Sequence, residues 1–374
     1  FAEAIAEYEC RSGERLVVPD DAAKYPKQRA LSSKLDDCLL QKIGERLKAS
    51  DPQQAARLSL CTLPGAGKWL VCTPDPALGL AMTSEVFGAA LRLWLGAPVY
   101  DVAHLCPLCG VAMDDIGIHA LRCMHGGDHT NRHNVVAHII ADMAARAGMR
   151  PRREVEGLLP GSDDRPADVL TLEQDTKVCN DICFVTAQQP KHAARTLSER
   201  YATHEWYVRT HKLERYVERC NKAGLEFRAL CWDAFGGASP VTLEFMRSLS
   251  RRASSKTSTT SECTEHLLGV RISMAIWKAN AMAVIRREAH NVSSTPLDEL
   301  PMPTRQATDV SPSRAAAYAA KAEGDQAWSA LHGAAQVTPA AVEAATTTQP
   351  TQPKPAAPLV VREPSATDED GAQP

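Results

Sequence analysis

The chain lacks any apolar run that approaches the roughly 20 residues a helix needs to span a bilayer. It also lacks an opening segment in which positive charge precedes an apolar stretch, so no secretory signal is indicated. Aromatic residues are sparse, at 5% of 374 residues, and no internal repeat is visible. These absences predict a protein that is soluble and not secreted.

An excess of positive charge is also missing, because the formal net charge is −3, and this argues against a uniformly basic nucleic-acid binder. The charge is unevenly distributed. Residues 247–287 carry eight Lys/Arg against two Glu, a net +6, and residues 288–374 carry five basic and eleven acidic residues, a net −6. The basic segment could steer a polyanion locally, although a solvated helix face explains it equally well.

The residues that are present support a folded core, since 44% are hydrophobic. The length allows one large domain or two small ones with tails. The first residue is Phe1 rather than Met, which favours a fragment or a processed piece. Nine of the twelve cysteines are scattered, and in a chain that is not secreted we expect such cysteines to be reduced core residues.

The other three cysteines belong to the most informative stretch, Cys106-Pro107-Leu108-Cys109 followed by His119 and Cys123. The spacing C-x2-C-x9-H-x3-C places two thiolates on one tight turn and an imidazole and a third thiolate one helical turn apart. Zn²⁺ favours these side chains and takes four of them in a tetrahedron, so the stretch predicts a structural zinc site. Three further histidines nearby could replace His119: His104, His125 and His129.

Hydrophobic periodicity predicts an alternation of helices and strands. We expect Phe87, Leu91 and Leu95 to face inward from one helix that Gly96 ends. The predicted helices lie within 1–58 and at 83–95, 132–147, 192–223, 240–251 and 263–289, and the predicted strands at 152–159, 167–172, 178–186 and 226–232.

Acidic residues recur along this alternation in the order found in a restriction-like nuclease core: a helix, a strand with Glu, a strand that begins with Asp, a strand with Asp, and a helix with Lys. Asp168 and Asp181 lie 13 residues apart, enough for two adjacent strands joined by a turn. Glu154 would complete the cluster. Glu156 is the alternative third acid, because it lies two residues later on the same strand face. Two or three carboxylates suffice for Mg²⁺, which activates water and neutralises charge on a phosphate.

A lysine should position or polarise the attacking water. In restriction-like cores it usually stands two residues after the second acid, and here Cys183 occupies that position. We expect Lys212 on the following helix to substitute, with Lys177 as the alternative. Three aromatic residues, Trp206, Tyr207 and Tyr216, could stack on bases, although core packing is their more usual role.

In combination, these motifs resemble the C-terminal part of reverse-transcriptase polyproteins of non-LTR retrotransposons, of the type with a zinc knuckle and a restriction-like endonuclease. The resemblance covers roughly residues 57–290. It rests on the following runs: Gly67-Lys68-Trp69-Leu70, Leu91-Arg92-Leu93-Trp94-Leu95-Gly96, Pro107–Gly110, His119–Cys123, Arg132-His133-Asn134, Glu154, Arg165-Pro166-Ala167-Asp168, Asp181, Lys212–Tyr216, Gly224–Phe227 and Phe235-Gly236-Gly237.

The resemblance implies specific roles for these residues. Zinc would be bound by Cys106, Cys109, His119 and Cys123, and Mg²⁺ or Mn²⁺ by Asp168 and Asp181, with Lys212 as the displaced lysine. Arg132 and His133 match an Arg-His pair near the nucleic acid, and Arg165 and Arg215 are predicted to contact it too.

The implied function is nicking of target DNA so that the new 3′ end primes reverse transcription, in the nucleus. DNA, the RNA of the element and an upstream polymerase domain are the expected partners. No polymerase motif is present in this sequence. The competing interpretation is a nucleic-acid-binding remnant that no longer cleaves DNA. A third interpretation is a zinc-stabilised interaction module with no role in nucleic-acid binding.

The sequence therefore predicts an α/β, restriction-endonuclease-like (PD-(D/E)XK) core with a preceding zinc knuckle and flanking helices. The expected segments are an N-terminal helical segment at 1–58, a helical linker region at 59–105, the knuckle at 106–129, the nuclease core at 130–252, a Ser/Thr linker at 253–262, an amphipathic basic helix at 263–290 and a disordered tail at 291–374.

Overall fold

The computed structural model describes residues 2–17 and 26–288, and the predicted disordered tail lies outside these residues. Over the described ranges the chain forms helices α1 (Ala2–Ser12), α2 (Gln28–Ser50), α3 (Pro52–Cys61), α4 (Ser84–Leu95), α5 (Ile118–Arg122), α6 (Asp128–Arg146), α7 (Pro190–Ser198), α8 (Ala202–Val208), α9 (Glu214–Lys222), α10 (Pro240–Ser254) and α11 (Ser261–Ile285), and strands β1 (Arg152–Arg153), β2 (Val169–Glu173), β3 (Thr176–Val185) and β4 (Glu226–Asp233).

The four strands form one mixed sheet in the order β1-β2-β3-β4. Strands β1, β2 and β3 pair antiparallel, and β4 pairs parallel with β3. The hairpin between β2 and β3 turns at Gln174, which takes the left-handed conformation with φ of 56°. A parallel neighbour needs a long crossover, and α7, α8 and α9 supply it between β3 and β4. The described chain is therefore a mixed α/β fold.

Successive side chains of β3 point to opposite faces of the sheet, and each face packs against different helices. Ile182 and Phe184 pack into a cluster with apolar residues of α6 and α10. Cys179 lies on the opposite face and packs against Tyr216 and Cys220 of α9. Asp181 shares that second face, so the crossover helices cover it.

The segment that was predicted to be an amphipathic basic helix forms a largely buried core helix. Sixteen of the 25 residues of α11 are buried. Trp277 joins a cluster with residues of α4, whereas Ile276 joins the cluster of α6 and α10. By length and composition α11 is the one described helix that could cross a membrane, but 72% of its most apolar window is buried inside the protein. Its apolar character is that of a central packing element.

Three other expectations need correction. In α4 the buried residues are Ala90 and Leu93, and Leu91 packs against their cluster, whereas Phe87 and Leu95 are 44% and 60% exposed. Gly96 ends this helix as predicted, with φ of 68°.

The predicted helix 192–223 is interrupted, since Tyr201 has φ of 70° and α8 begins after it. The predicted strand 152–159 stops after Arg153, because Glu154 has φ of 47°, which a strand cannot contain.

Candidate functional site

The predicted zinc ligands come from a turn and a short helix. The backbone N–H of Gly110 donates to the carbonyl of Cys106 at 2.8 Å, and Gly110 has φ of 71°, a conformation that favours glycine. This turn holds Cys109 close to Cys106. His119 lies in α5 and Cys123 ends that helix, with its N–H bonded to the carbonyl of His119 at 2.9 Å.

These four side chains form one group in which all ligand atoms lie within 4.8 Å of one another. His119 Nε2 is 3.2 Å from Cys109 Sγ, and His119 Nδ1 is buried without a hydrogen-bond partner among the described residues. Three thiolates and one imidazole at this spacing could hold a metal and are compatible with a structural zinc ion. His104 does not belong to the group, because its two ring nitrogens bond to the carbonyls of Val102 and Arg287.

Arg287 connects the cysteine group to the core. Its fully buried guanidinium donates to Asp128 Oδ2 at 2.6 Å and to the carbonyl of His125 at 2.8 Å. Burial raises the pKa of the Cys123 thiol, but hydrogen bonds from the backbone of His125 and from Arg287 outweigh burial, so the pKa lies below its ordinary value. The cluster is therefore attached to the end of α11.

The two predicted metal-binding aspartates stand opposite each other across the hairpin of β2 and β3. Val169 pairs with Asn180 in the antiparallel register of β2 and β3, so the preceding residue, Asp168, stands directly opposite Asp181. The backbone N–H of Asp168 donates to the carbonyl of Asn180 at 3.1 Å. Directly opposite residues place their side chains on the same face of a sheet. Both carboxylates therefore lie at one end of the hairpin.

Each aspartate has a basic partner. His133 Nε2 in α6 lies 3.0 Å from Asp168 Oδ2, and the backbone N–H of Ile182 donates to that same oxygen at 2.6 Å. Lys212 Nζ lies 3.0 Å from Oδ1 and 2.8 Å from Oδ2 of Asp181. The pairing of His133 with Asp168 was not predicted, because only packing of α6 on the sheet brings them together.

Lys212 reaches Asp181 from an irregular turn. Residues Arg209–Leu213 form a π-helical stretch between α8 and α9. Such a stretch changes the direction in which helical side chains project, and it often occurs at functional sites. The turn brings the ammonium of Lys212 to Asp181, two residues before Cys183 on β3. Lys212 thus supplies an ammonium beside the second acid although position 183 is a cysteine.

Burial and charge shift the pKa values at this site. Burial, and more weakly the charge of Asp168, raise the pKa of Asp181 to about 6, although Lys212 opposes the shift. Burial lowers the pKa of Lys212, but the charge of Asp181 outweighs it, and the pKa is raised. Burial also lowers the pKa of His133, yet its bond to Asp168 raises the pKa above its ordinary value. The group is a coupled set of two acids and two bases.

The predicted third acid does not complete this group. Among the described residues, the cysteine–histidine set is the one group of three or more such side chains whose ligand atoms approach this closely. The Glu154 carboxylate is half-exposed and lies 3.7 Å from both Arg153 and Arg165. Glu156, the alternative third acid, also forms an ion pair with Arg165. The backbone N–H of Glu154 donates to the carbonyl of Asp168 at 3.2 Å, but β1 ends one residue earlier and the Glu154 carboxylate pairs with the two arginines.

The alternative lysine, Lys177, lies far from the acids. It pairs with Leu172 near the turn of the hairpin, four residues before Asp181 on the same strand. At about 3.3 Å per residue this is a separation of roughly 13 Å. Lys177 is exposed, and Lys212 rather than Lys177 is the lysine that contacts Asp181.

Arg132 was predicted to contact nucleic acid, but it lies inside the protein. It is 3% exposed, and its guanidinium donates to Asn280 Oδ1 at 2.7 Å and to the carbonyl of Leu121 at 3.2 Å. Burial lowers its pKa to about 10. Its position at the junction of α5, α6 and α11 corrects the prediction, since a nucleic acid could not reach this side chain without local unfolding.

We expect Arg132→Ala to lower the free energy of unfolding by about 3–5 kcal/mol, because it leaves the buried acceptors of Asn280 and Leu121 without a donor. Urea denaturation measures this. Arg165→Ala is the surface control, and we expect a change within about 0.5 kcal/mol. A stable Arg132→Ala protein with impaired DNA binding would instead support the role that the resemblance implies.

The remaining predicted contacts, Arg165 and Arg215, lie at the surface. The Arg165 side chain is 50% exposed beside Glu156. Arg215 is 57% exposed and donates to Asp164 Oδ1 at 2.6 Å. Arg219 binds the other oxygen of Asp164, which ties the loop before β2 to α9. Both exposed arginines could meet a phosphate, because exposed ion pairs are weak and exchange readily.

No protein-family model matches this chain, and no curated protein sequence matches it significantly. Fold and side chains define it as a mixed α/β protein with a candidate metal-binding group of three cysteines and one histidine. A second centre combines two opposed aspartates with a lysine and a histidine.

Proposed function

We propose that the chain is a metal-dependent DNA endonuclease, the nuclease part of a retrotransposon reverse-transcriptase protein, which nicks target DNA to prime reverse transcription. The observation that carries the proposal is the opposed pair Asp168 and Asp181 with the ammonium of Lys212 on Asp181. Two opposed acids on neighbouring strands, with a lysine beside one of them, are the groups that metal-dependent phosphodiester hydrolysis needs.

The topology supports this proposal. A helix, α6, precedes three antiparallel strands, and a helical crossover leads to β4 beside β3 in parallel. This is the layout expected of a restriction-endonuclease-like core. The acids stand at the start of β2 and the middle of β3, and the lysine comes from the crossover. Sequence order and spatial order therefore agree with the nuclease interpretation.

The acid pair fits a hard divalent cation such as Mg²⁺ or Mn²⁺. Both oxygens of Asp181 contact the Lys212 ammonium, Oδ1 at 3.0 Å and Oδ2 at 2.8 Å, so a cation would share this carboxylate with the lysine. When bound, the metal would lower the pKa of a water and neutralise charge on the phosphate. Asp168 and Asp181 would hold it, while Lys212 stabilises negative charge and His133 orients Asp168.

The cysteine group would serve a different purpose. Three thiolates and one imidazole suit Zn²⁺, which closes a structural site with four protein ligands. We assign it the role of fixing α5 and the loop before it on the end of α11. The nuclear location and the partnership with DNA, element RNA and a polymerase domain follow from the resemblance and belong to this proposal.

The second candidate is a nucleic-acid-binding remnant that no longer cuts. Two observations favour it. Glu154 does not join the aspartates at coordination distance, and both aspartates are already paired with basic side chains.

Binding and cutting separate the two candidates. We expect Asp168→Ala to bind DNA with nearly wild-type affinity in EDTA and to lose Mg²⁺-dependent nicking by at least about 100-fold. Fluorescence anisotropy and plasmid relaxation on gels measure the two quantities. Wild-type protein that binds DNA and retains zinc, yet nicks no faster than Asp168→Ala with either Mg²⁺ or Mn²⁺, would establish the remnant.

We expect nicking to rise with pH through about 6 and to level off above neutrality. Asp181 has a pKa raised to about 6, so below that pH it carries a proton and cannot hold a cation. His133 has a raised pKa as well, and its protonated form binds Asp168 more tightly. Single-turnover rates between about pH 5 and 8.5 measure this. A flat profile would contradict the assignment of Asp181 as a metal ligand.

A further inference from the structure

We infer that the surface beside the acid pair binds unpaired nucleic acid by base stacking. The surface is formed by Lys191, Arg195, Trp206, Tyr207 and His211, and we call it the aromatic ledge. The inference rests on the proposed nuclease function, because that function brings a nucleic-acid strand to Asp168 and Asp181. It adds a ligand class, a single-stranded segment, and a site for it.

The rings of the ledge are arranged in contact with one another. Tyr207 and His211 are stacked, with centroids 4.6 Å apart and planes at 12°. Trp206 meets His211 edge to face at 5.3 Å. Arg195 lies over the Trp206 ring at 4.2 Å. Together α7, α8 and the π-helical turn thus bring two aromatic side chains and an imidazole into mutual contact, with Trp206 roughly perpendicular to the Tyr207–His211 stack.

The burial of these rings differs from that of core aromatics. Trp232 and Trp277 are each 1% exposed. Trp206 belongs to none of the apolar clusters of the described residues and is only half-buried. Tyr207 packs on the cluster around Trp277 from one side, and His211, stacked on it, is exposed. Tyr207 therefore anchors a stack whose outer member faces solvent, and a base can extend that stack.

The ledge is also cationic. The pKa of His192 is lowered by burial and then by the charges of Lys191, Arg195 and His211, with no acidic contribution. His192 lies 5.1 Å from Trp206, is 7% exposed, and its Nδ1 has no hydrogen-bond partner among the described residues.

Most other arginines near the acids are neutralised by carboxylates, among them Arg215, Arg219 and Arg228. Within the described ranges, Lys191 and Arg195 form no ion pair. Their charges are available to phosphates, as single-strand binders require.

The ledge adjoins the catalytic centre directly. Lys212 follows His211 in the π-helical turn. Burial raises the pKa of Tyr207, and the charges of Lys212 and Asp181 also act on it. A strand with one phosphate at the acid pair would therefore pass its neighbouring nucleotides over the ledge.

Aromatic rings flanked by cations fit unpaired bases better than duplex DNA. Bases in a duplex stack on each other and cannot reach a protein ring, whereas unpaired bases stack on aromatic side chains regardless of sequence. A phosphopeptide would use the cations alone and leave the rings unexplained. We therefore commit to single-stranded DNA or RNA, such as the strand released beside a nick.

The test is fluorescence anisotropy of a labelled single-stranded oligonucleotide with the full chain in EDTA, which separates binding from cleavage. We expect Trp206→Ala combined with His211→Ala to weaken single-strand binding by about 10-fold to 100-fold. Binding to a duplex of the same length should change by less than about twofold. The control is Phe87→Ala, which removes a 44% exposed aromatic on α4 and should leave binding unchanged.

Three outcomes would overturn the inference: a double variant that binds the single strand like wild type, an equal loss of duplex binding, or no single-strand binding by wild type. Circular dichroism establishes that the variants are folded, and Trp206→Phe should restore part of the affinity. A protein that binds the single strand through the ledge but does not nick DNA would refute the proposed nuclease function. It would still support the ledge as a binding site for single strands.

Discussion

We expect Lys212→Met to reduce the rate of DNA nicking by about 100-fold to 1000-fold, the usual effect of removing one group that stabilises charge in a transition state. Methionine preserves the length and packing of the stem but removes the ammonium from Asp181. Without that charge the pKa of Asp181, already raised to about 6, rises further, and metal binding shifts to higher pH. Single-turnover nicking at saturating Mn²⁺ between about pH 5 and 8.5 measures both the loss of rate and the shift of the pH profile.

Lys177→Met is the matched control. It makes the same chemical change on β3, four residues from Asp181 and near the turn of the hairpin. We expect nicking within about twofold of wild type and unchanged stability. The account fails if both lysine variants lose activity equally, or if Lys212→Met keeps the wild-type rate and pH profile.

We expect Cys123→Ser to lose bound zinc and to lower the thermal unfolding midpoint by at least about 5 °C. Purified wild-type chain should contain about one zinc ion. Cys123 ends α5 and is hydrogen-bonded by Arg287, so losing the metal releases both α5 and the end of α11. Metal analysis by mass spectrometry and calorimetry measure the two quantities.

The control for this prediction is Cys10→Ser, which changes an exposed cysteine of α1 outside the cluster. Zinc content and midpoint should stay as in wild type. Wild-type protein purified without any bound metal, with a midpoint unaffected by chelator or by Cys123→Ser, would rule out a structural metal at this cluster.

The central features of both centres were predictable from sequence spacing. The C-x2-C turn and the one-turn step from His119 to Cys123 are local geometry, so the sequence alone indicates that these ligands meet. The alternation of side chains in β3 and the turn at Gln174 fix the register between β2 and β3. This register places Asp168 opposite Asp181. Short-range periodicity is therefore sufficient for the hairpin that carries the acids.

Features that depend on long-range packing were not predictable. The sequence around Arg132 does not show that it is buried, because its hydrogen-bond acceptor Asn280 lies on α11, 148 residues further along the chain. Helix α11 itself has apolar residues all round, which reveals a core helix only when its neighbours are known. Lys212 was identified correctly as the lysine near Asp181, yet the π-helical turn that directs it there leaves no signature in periodicity. The positive φ of Glu154 likewise cannot be read from the residue type.

The most direct test of the account is nicking of supercoiled plasmid by the purified chain with Mg²⁺ or Mn²⁺, beside Asp181→Ala. We expect wild type to form relaxed circles whose nicks carry a 3′-hydroxyl that a polymerase can extend, and we expect none with EDTA or with Asp181→Ala. Folded, zinc-containing wild-type protein that leaves the plasmid supercoiled under all these conditions would contradict it.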